Sequence, residues 1–100
     1  MTTASEKLFA VGTVVMTVGI DALLQDEKSE LSDEALTRLL QRHQCGDDGD
    51  VNTEDHESNL YAIQQGDLRI MSVYKLETVT VWIITEHDRS YTTVLLPEEY

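Results

Sequence analysis

Between Cys45 and Asp55 the chain reads CGDDGDVNTED, which puts the carboxylates of Asp47, Asp48, Asp50, Glu54 and Asp55 into nine residues, with two glycines to let the backbone bend. Oxygen ligands at this density suggest a divalent cation first. Aligned on an EF-hand loop from Asp48, however, the sharp-turn glycine falls on Thr53 and the bidentate glutamate on Asn59, and both positions fail. Zinc has less support still, because His43, Cys45 and His56 follow no recognised ligand spacing and His87 lies in a distant turn. No metal and no cofactor is therefore expected. Two readings of the loop remain. One is a solvated turn whose acids suit the N-terminus of a following helix. The other is a surface that offers negative charge to a basic partner, with Asp47, Asp48, Asp50, Glu54, Asp55 and Glu57 as the partner-binding residues.

A second constellation is catalytic in type. His43 near a helix end, Arg69 and Arg89 beside strands, and the hydroxyls of Ser90, Thr92, Thr93 and Tyr100 supply an acid-base group and phosphate ligands for a small metal-independent ribonuclease, on a helix-plus-sheet fold that resembles the barnase and RelE group. Electrostatics oppose it. Nineteen Asp and Glu against seven Lys and Arg leave a net charge of -12. A surface that repels phosphate binds RNA only if its cations converge, and here they are spread from Lys7 to Arg89. Catalytic residues are accordingly not assigned, and the chain is expected to be a non-enzyme. The same charge disfavours direct contact with nucleic acid or anionic membranes and favours a basic protein.

The elements that must position these groups follow from length and pattern. One hundred residues with 41% hydrophobic content make one α+β domain, residues 1–100, with a single core. The lone Cys45 forms no intramolecular disulfide, which fits a reducing cytoplasm. The apolar stretch Leu8 to Ile20 is shorter than the ~20 residues of a membrane span. Its Val- and Thr-rich part, Phe9 to Val18, predicts a buried core strand with Gly12 as a bulge or point of close approach. A short helix follows over Ile20 to Leu24. Ser32 is an N-cap for a helix whose Leu36, Leu39, Leu40 and His43 form one stripe until Gly46 ends it. Asn52 or Thr53 caps a third helix with Leu60 and Ile63 facing inward and Gly66 as its stop. Leu68 to Leu76, Thr78 to Thr85 and Ser90 to Leu96 then predict a three-strand antiparallel meander. With the N-terminal strand it makes a four-stranded antiparallel sheet packed against two to three helices. Tyr74 and Trp82 alternate with apolar neighbours, as core residues or as interface anchors.

The segments RHQCGDDGDVNTED, RIMSVY and VWIITEHDRSYTTVLLPEEY, with Asn59 and Ala62 between them, resemble a group of small acidic proteins carried by plasmids, phages and integrative elements. The resemblance covers the chain from Arg42 onward and reaches the N-terminal part loosely. A tryptophan is common in that group where this chain has Asp48. The resemblance implies a mobile-element setting in a host bacterial cell, where small acidic proteins act against host defences, as anti-CRISPR and anti-restriction inhibitors do. A CRISPR surveillance complex of type I is then the expected partner, blocked at its DNA-binding surface. A transcription or partitioning accessory of the element is the other role such a setting allows.

Overall fold

The computed structural model describes residues 6–100. Its elements are β1 (Thr13–Met16), α1 (Val18–Gln25), α2 (Asp33–Gln44), α3 (Thr53–Gln65), β2 (Ile70–Lys75), β3 (Thr80–Thr85), β4 (Tyr91–Leu95) and a closing 3-10 turn at Pro97–Glu99. The meander forms as its β-branched runs predict, with Ile70 opposite Thr85 and Trp82 opposite Leu95. Period-2 alternation then sends Tyr74, Val81, Ile83 and Val94 to one face, where they meet Ile20, Leu31, Leu36 and Leu39 in the core.

The sheet is mixed, not antiparallel throughout. Its order is β1-β4-β3-β2, and β1 runs parallel to β4 with Val14 opposite Thr92. The cause is the connection between β1 and β2. Three helices carry the chain from the end of β1 back to the start of β2, a crossover that sets two strands running the same way. Since β2 and β4 flank β3 in the meander, β4 shares that direction too.

The N-terminal strand is also shorter and more exposed than expected. Gly12 has φ of +64°, and a Cβ there would stand 2.3 Å from the Ser90 carbonyl oxygen, so the close approach predicted for it is real and the strand begins only after it. Thr17 ends β1 by taking the N-cap position of α1. At the sheet edge Val14 and Met16 share the core-facing side, but only Val14 packs against the core, and Val15 and Met16 are exposed.

The helix boundaries behave as their caps dictate. The Ser32 hydroxyl accepts from the Ala35 N–H at 3.1 Å, and Leu36, Leu39 and His43 are buried along one stripe. Asn52 caps α3 by accepting from the Asp55 N–H at 2.7 Å, and Gly66 closes it in the left-handed conformation at φ of +79°. The buried residues of α3 are Asn59 and Ala62, while Ile63 is half-buried and Leu60, expected to face inward, remains exposed. This helix lies against an edge of the sheet, where a hydrogen-bonding side chain does what a leucine cannot.

Candidate functional site: the acidic loop and the edge it covers

Strand β2 bonds β3 on one side only, which leaves the outward N–H and C=O groups of Met71, Val73 and Lys75 needing partners. The acidic loop supplies them. Val73 N–H donates to the Asp48 carbonyl at 3.1 Å, and Asp50 N–H donates to the Val73 carbonyl at 2.6 Å. Lys75 N–H donates to the Asp50 carboxylate at 2.8 Å. Asn59 completes the row, donating to the Met71 carbonyl at 2.7 Å and accepting from the Met71 N–H at 3.0 Å. Gly49 lies at the closest point, paired with Val73 in a parallel bridge at φ of +71°, where a Cβ would come within 2.2 Å of the Val73 oxygen. The loop is thus a short pseudo-strand along β2.

This geometry divides the six acidic candidates into two sets. Asp48 is buried, with one carboxylate oxygen 3.0 Å from Asn59 Nδ2 and 2.8 Å from His56 Nδ1. A carboxylate can only accept, so His56 carries a proton on that nitrogen. Asp47 pairs with Arg42 at 2.7 Å, and its carbonyl accepts the Tyr74 hydroxyl at 2.6 Å. The hydrogen bond from Arg42 holds the Asp47 carboxyl below its ordinary range, and burial pushes the Tyr74 phenol up. The Arg42 guanidinium also stacks 4.7 Å above the Tyr74 ring. Asp50 is engaged through Lys75, as described. Glu54, Asp55 and Glu57 are different: they are exposed on the first turns of α3, and among the described residues their carboxylates accept no hydrogen bond.

The sequence gives little sign of Gly49, Asn59 and Tyr74 as determinants of this loop. The one available signal is an asparagine two residues after Glu57 on the inward side of a helix, a position where an unpaired amide is costly and a partner must exist.

The catalytic constellation does not assemble at the surface. His43 is fully buried, with Nδ1 2.6 Å from the Ser72 hydroxyl and Nε2 2.8 Å from that of Thr85. Thr85 is 2.6 Å from Thr92, whose hydroxyl donates to the Val11 carbonyl at 2.8 Å. That last acceptor orients the row. With the Thr92 proton committed to a carbonyl, Thr85 donates to Thr92, His43 donates to Thr85 from Nε2, and Ser72 donates to Nδ1. The imidazole is therefore neutral, and burial lowers its pKa to about 4. Arg89, at φ of +61°, sends its guanidinium to the carbonyls of Ala62, Leu68, Glu86 and His87, not to Asp88 or Glu86 carboxylates. Arg69 holds Glu86 at 3.3 Å and the Tyr100 hydroxyl at 3.2 Å, and Tyr100 rests edge-on against Trp82. Thr93 points away from Thr92 by strand alternation, and Ser90 binds Asp88.

A cleft of about 320 Å³ on α2 is lined by Arg38, Gln41, Arg42, Cys45 and Asp47, with its two guanidinium groups already occupied by Glu34 and Asp47. Among the described residues, no three His, Cys, Asp or Glu side chains stand close enough to hold a metal ion. No helix there is long and apolar enough to cross a membrane. Comparisons with protein-family models, curated proteins and solved structures gave no match.

Proposed function

We propose that the protein is a non-catalytic ligand for a basic protein surface, an inhibitor that occupies a nucleic-acid-binding site of a host defence complex and excludes DNA from it. The observation that carries this reading is how the charges are used. All four arginines are committed within the chain, three to carboxylates and Arg89 to carbonyls. Lys7, Lys28 and Lys75 enter no ion pair among the described residues. The surplus carboxylates face water. Glu54, Asp55 and Glu57 are held on a capped helix end whose dipole offsets their mutual repulsion. The resemblance to mobile-element proteins points to a CRISPR surveillance complex as the target.

The test is displacement of labelled DNA from a purified type I surveillance complex. The wild-type chain is expected to compete, with an apparent affinity that falls as salt rises. Reversing Glu54, Asp55 and Glu57 together to lysine is expected to weaken competition by at least tenfold, because like charges then meet the basic surface. The fold is expected to be retained, since among the described residues these side chains accept no hydrogen bond, at a stability cost of roughly 1–2 kcal/mol for cations at a helix N-terminus. Unaltered DNA binding at a large molar excess of the wild type, or RNA cleavage by the purified protein without divalent ions, would refute the reading.

A further inference from the structure

The outer side of α3 carries apolar surface that the fold does not use. Asn59 and Ala62 mark the buried side of the helix, and at about 100° per residue Glu57 and Tyr61 fall on the opposite side. Tyr61 is 55% exposed, and among the described residues its side chain enters no aromatic pair, cation stack or hydrogen bond. Leu60 beside it is 43% exposed. A single guanidinium, that of Arg89, binds the carbonyls of Ala62 at 3.0 Å and Leu68 at 2.6 Å, which folds Leu68, 41% exposed, back alongside the end of the same helix. One exposed leucine is ordinary, but a tyrosine and two leucines gathered at one helix form a patch. The charge around it has one sign. Glu57 precedes Leu60 by three residues and Tyr61 by four, the spacings at which helix side chains are neighbours, and Glu54 lies a turn further back. No Lys or Arg stands on α3, and its His56 is turned to Asp48. Arg69 and Arg89, which adjoin Leu68, are spent on Glu86 and on backbone carbonyls.

We propose that Tyr61 is the anchor of the partner interface, its ring stacked against an arginine guanidinium of a basic protein surface while the Glu57 carboxylate accepts an N–H of that same group. Leu60 and Leu68 exclude water around the contact. Charge complementarity selects the occupant: an aromatic face with carboxylates at its side fits a cation, and a second copy of this acidic chain would bring like charges together. Guanidinium suits the site better than ammonium. It is planar and weakly hydrated, and its N–H groups lie in its own plane, so it can stack on a phenol ring and still bond a carboxylate at its edge. This deepens the function proposed above and rests on it for the identity of the partner. It also separates two contributions to binding. Glu54, Asp55 and Glu57 attract the basic surface and set the association rate and its salt dependence, whereas the desolvated ring sets the dissociation rate.

The test titrates the full chain with an arginine-rich peptide and with a lysine peptide of equal length, followed by calorimetry and by the Tyr61 ring resonances. The arginine peptide is expected to bind several-fold more tightly than the lysine peptide and to shift the ring signals. Tyr61→Ala is expected to weaken its binding roughly tenfold and Tyr61→Phe less than about twofold. Far-UV circular dichroism stays the same in both, because the exposed ring supports nothing in the fold and alanine is a good helix former. In the displacement assay with the type I complex, Tyr61→Ala speeds dissociation and leaves the slope of affinity against salt in place, whereas the triple reversal at Glu54, Asp55 and Glu57 changes that slope. Peptide binding unchanged in Tyr61→Ala, equal affinity for the two peptides, or self-association that buries Tyr61 would overturn the anchor. Displacement by Tyr61→Ala as strong as that of the wild type would also overturn it and leave the inhibitor reading standing. A wild type that fails to displace DNA, with the peptide results as expected, refutes the target complex and supports the anchor.

Discussion

Gly49→Ala is expected to lower the unfolding free energy by about 3 kcal/mol, far more than alanine at an ordinary loop glycine. Part of the loss, roughly 1 kcal/mol, is the strain of a side chain at positive φ. The rest comes from collision. A Cβ at 2.2 Å from the Val73 carbonyl oxygen meets backbone, which cannot rotate away as a side chain would, so the loop must lift from β2. Lifting it breaks the bonds between Val73, Asp48 and Asp50, each worth about 1 kcal/mol. Gly66→Ala isolates the strain, since Gly66 also has positive φ but a Cβ there would meet nothing within 4 Å. Urea denaturation of the two variants measures the difference, and hydrogen exchange at the Val73 amide locates it. Equal losses in both variants would mean that the loop does not hold the edge.

The buried imidazole of His43 gives the second large effect, and it is read through pH. Burial lowers its pKa from 6.5 to about 4, so the unfolded chain takes up a proton before the folded one does. Above pH 6.5 both states are neutral at this position and nothing is lost. As pH falls through the interval down to 4, stability is expected to decline by roughly 1.4 kcal/mol per unit, about 3 kcal/mol in all. Below 4 the folded form protonates too and this contribution levels off. Asp47, lowered from 3.8 by Arg42, is stabilising above that value and loses its contribution only at lower pH, so the two effects occupy different windows. Urea titrations at intervals from pH 7 to 4 are expected to show the slope in the wild type and its absence in His43→Leu, which is less stable at pH 7 because Ser72 and Thr85 lose their partner. A flat profile in the wild type would exclude a buried neutral histidine.

The meander, the stripe on α2 and the caps at Ser32, Asn52 and Gly66 were legible because each rests on local rules: alternation, helical spacing and cap chemistry. The parallel pairing of β1 was not, because strand direction depends on where a crossover returns the chain, and no residue within Thr13–Met16 encodes that. The inward side of α3 was hidden for a related reason. Leu60 and Ile63 outrank Asn59 on any hydropathy scale, yet the surface awaiting that helix was a row of backbone N–H and C=O groups. The acidic loop combined both problems. Asp48 reads as solvent-facing by composition, and its burial follows from His56 and Asn59, which approach it only once α3 has formed.

The pseudo-strand over β2 bears on more than local hydrogen bonding. A protomer with two open edges would be a bifunctional monomer in the polymer chemist's sense, able to add a neighbour at either end and grow into a ribbon. With β2 covered by Gly49 and its flanking aspartates, that route is shut at one side of the sheet. By this logic Gly49→Ala does more than destabilise a domain: it uncovers a second edge, and with it the unit gains the second reactive end that ribbon growth requires.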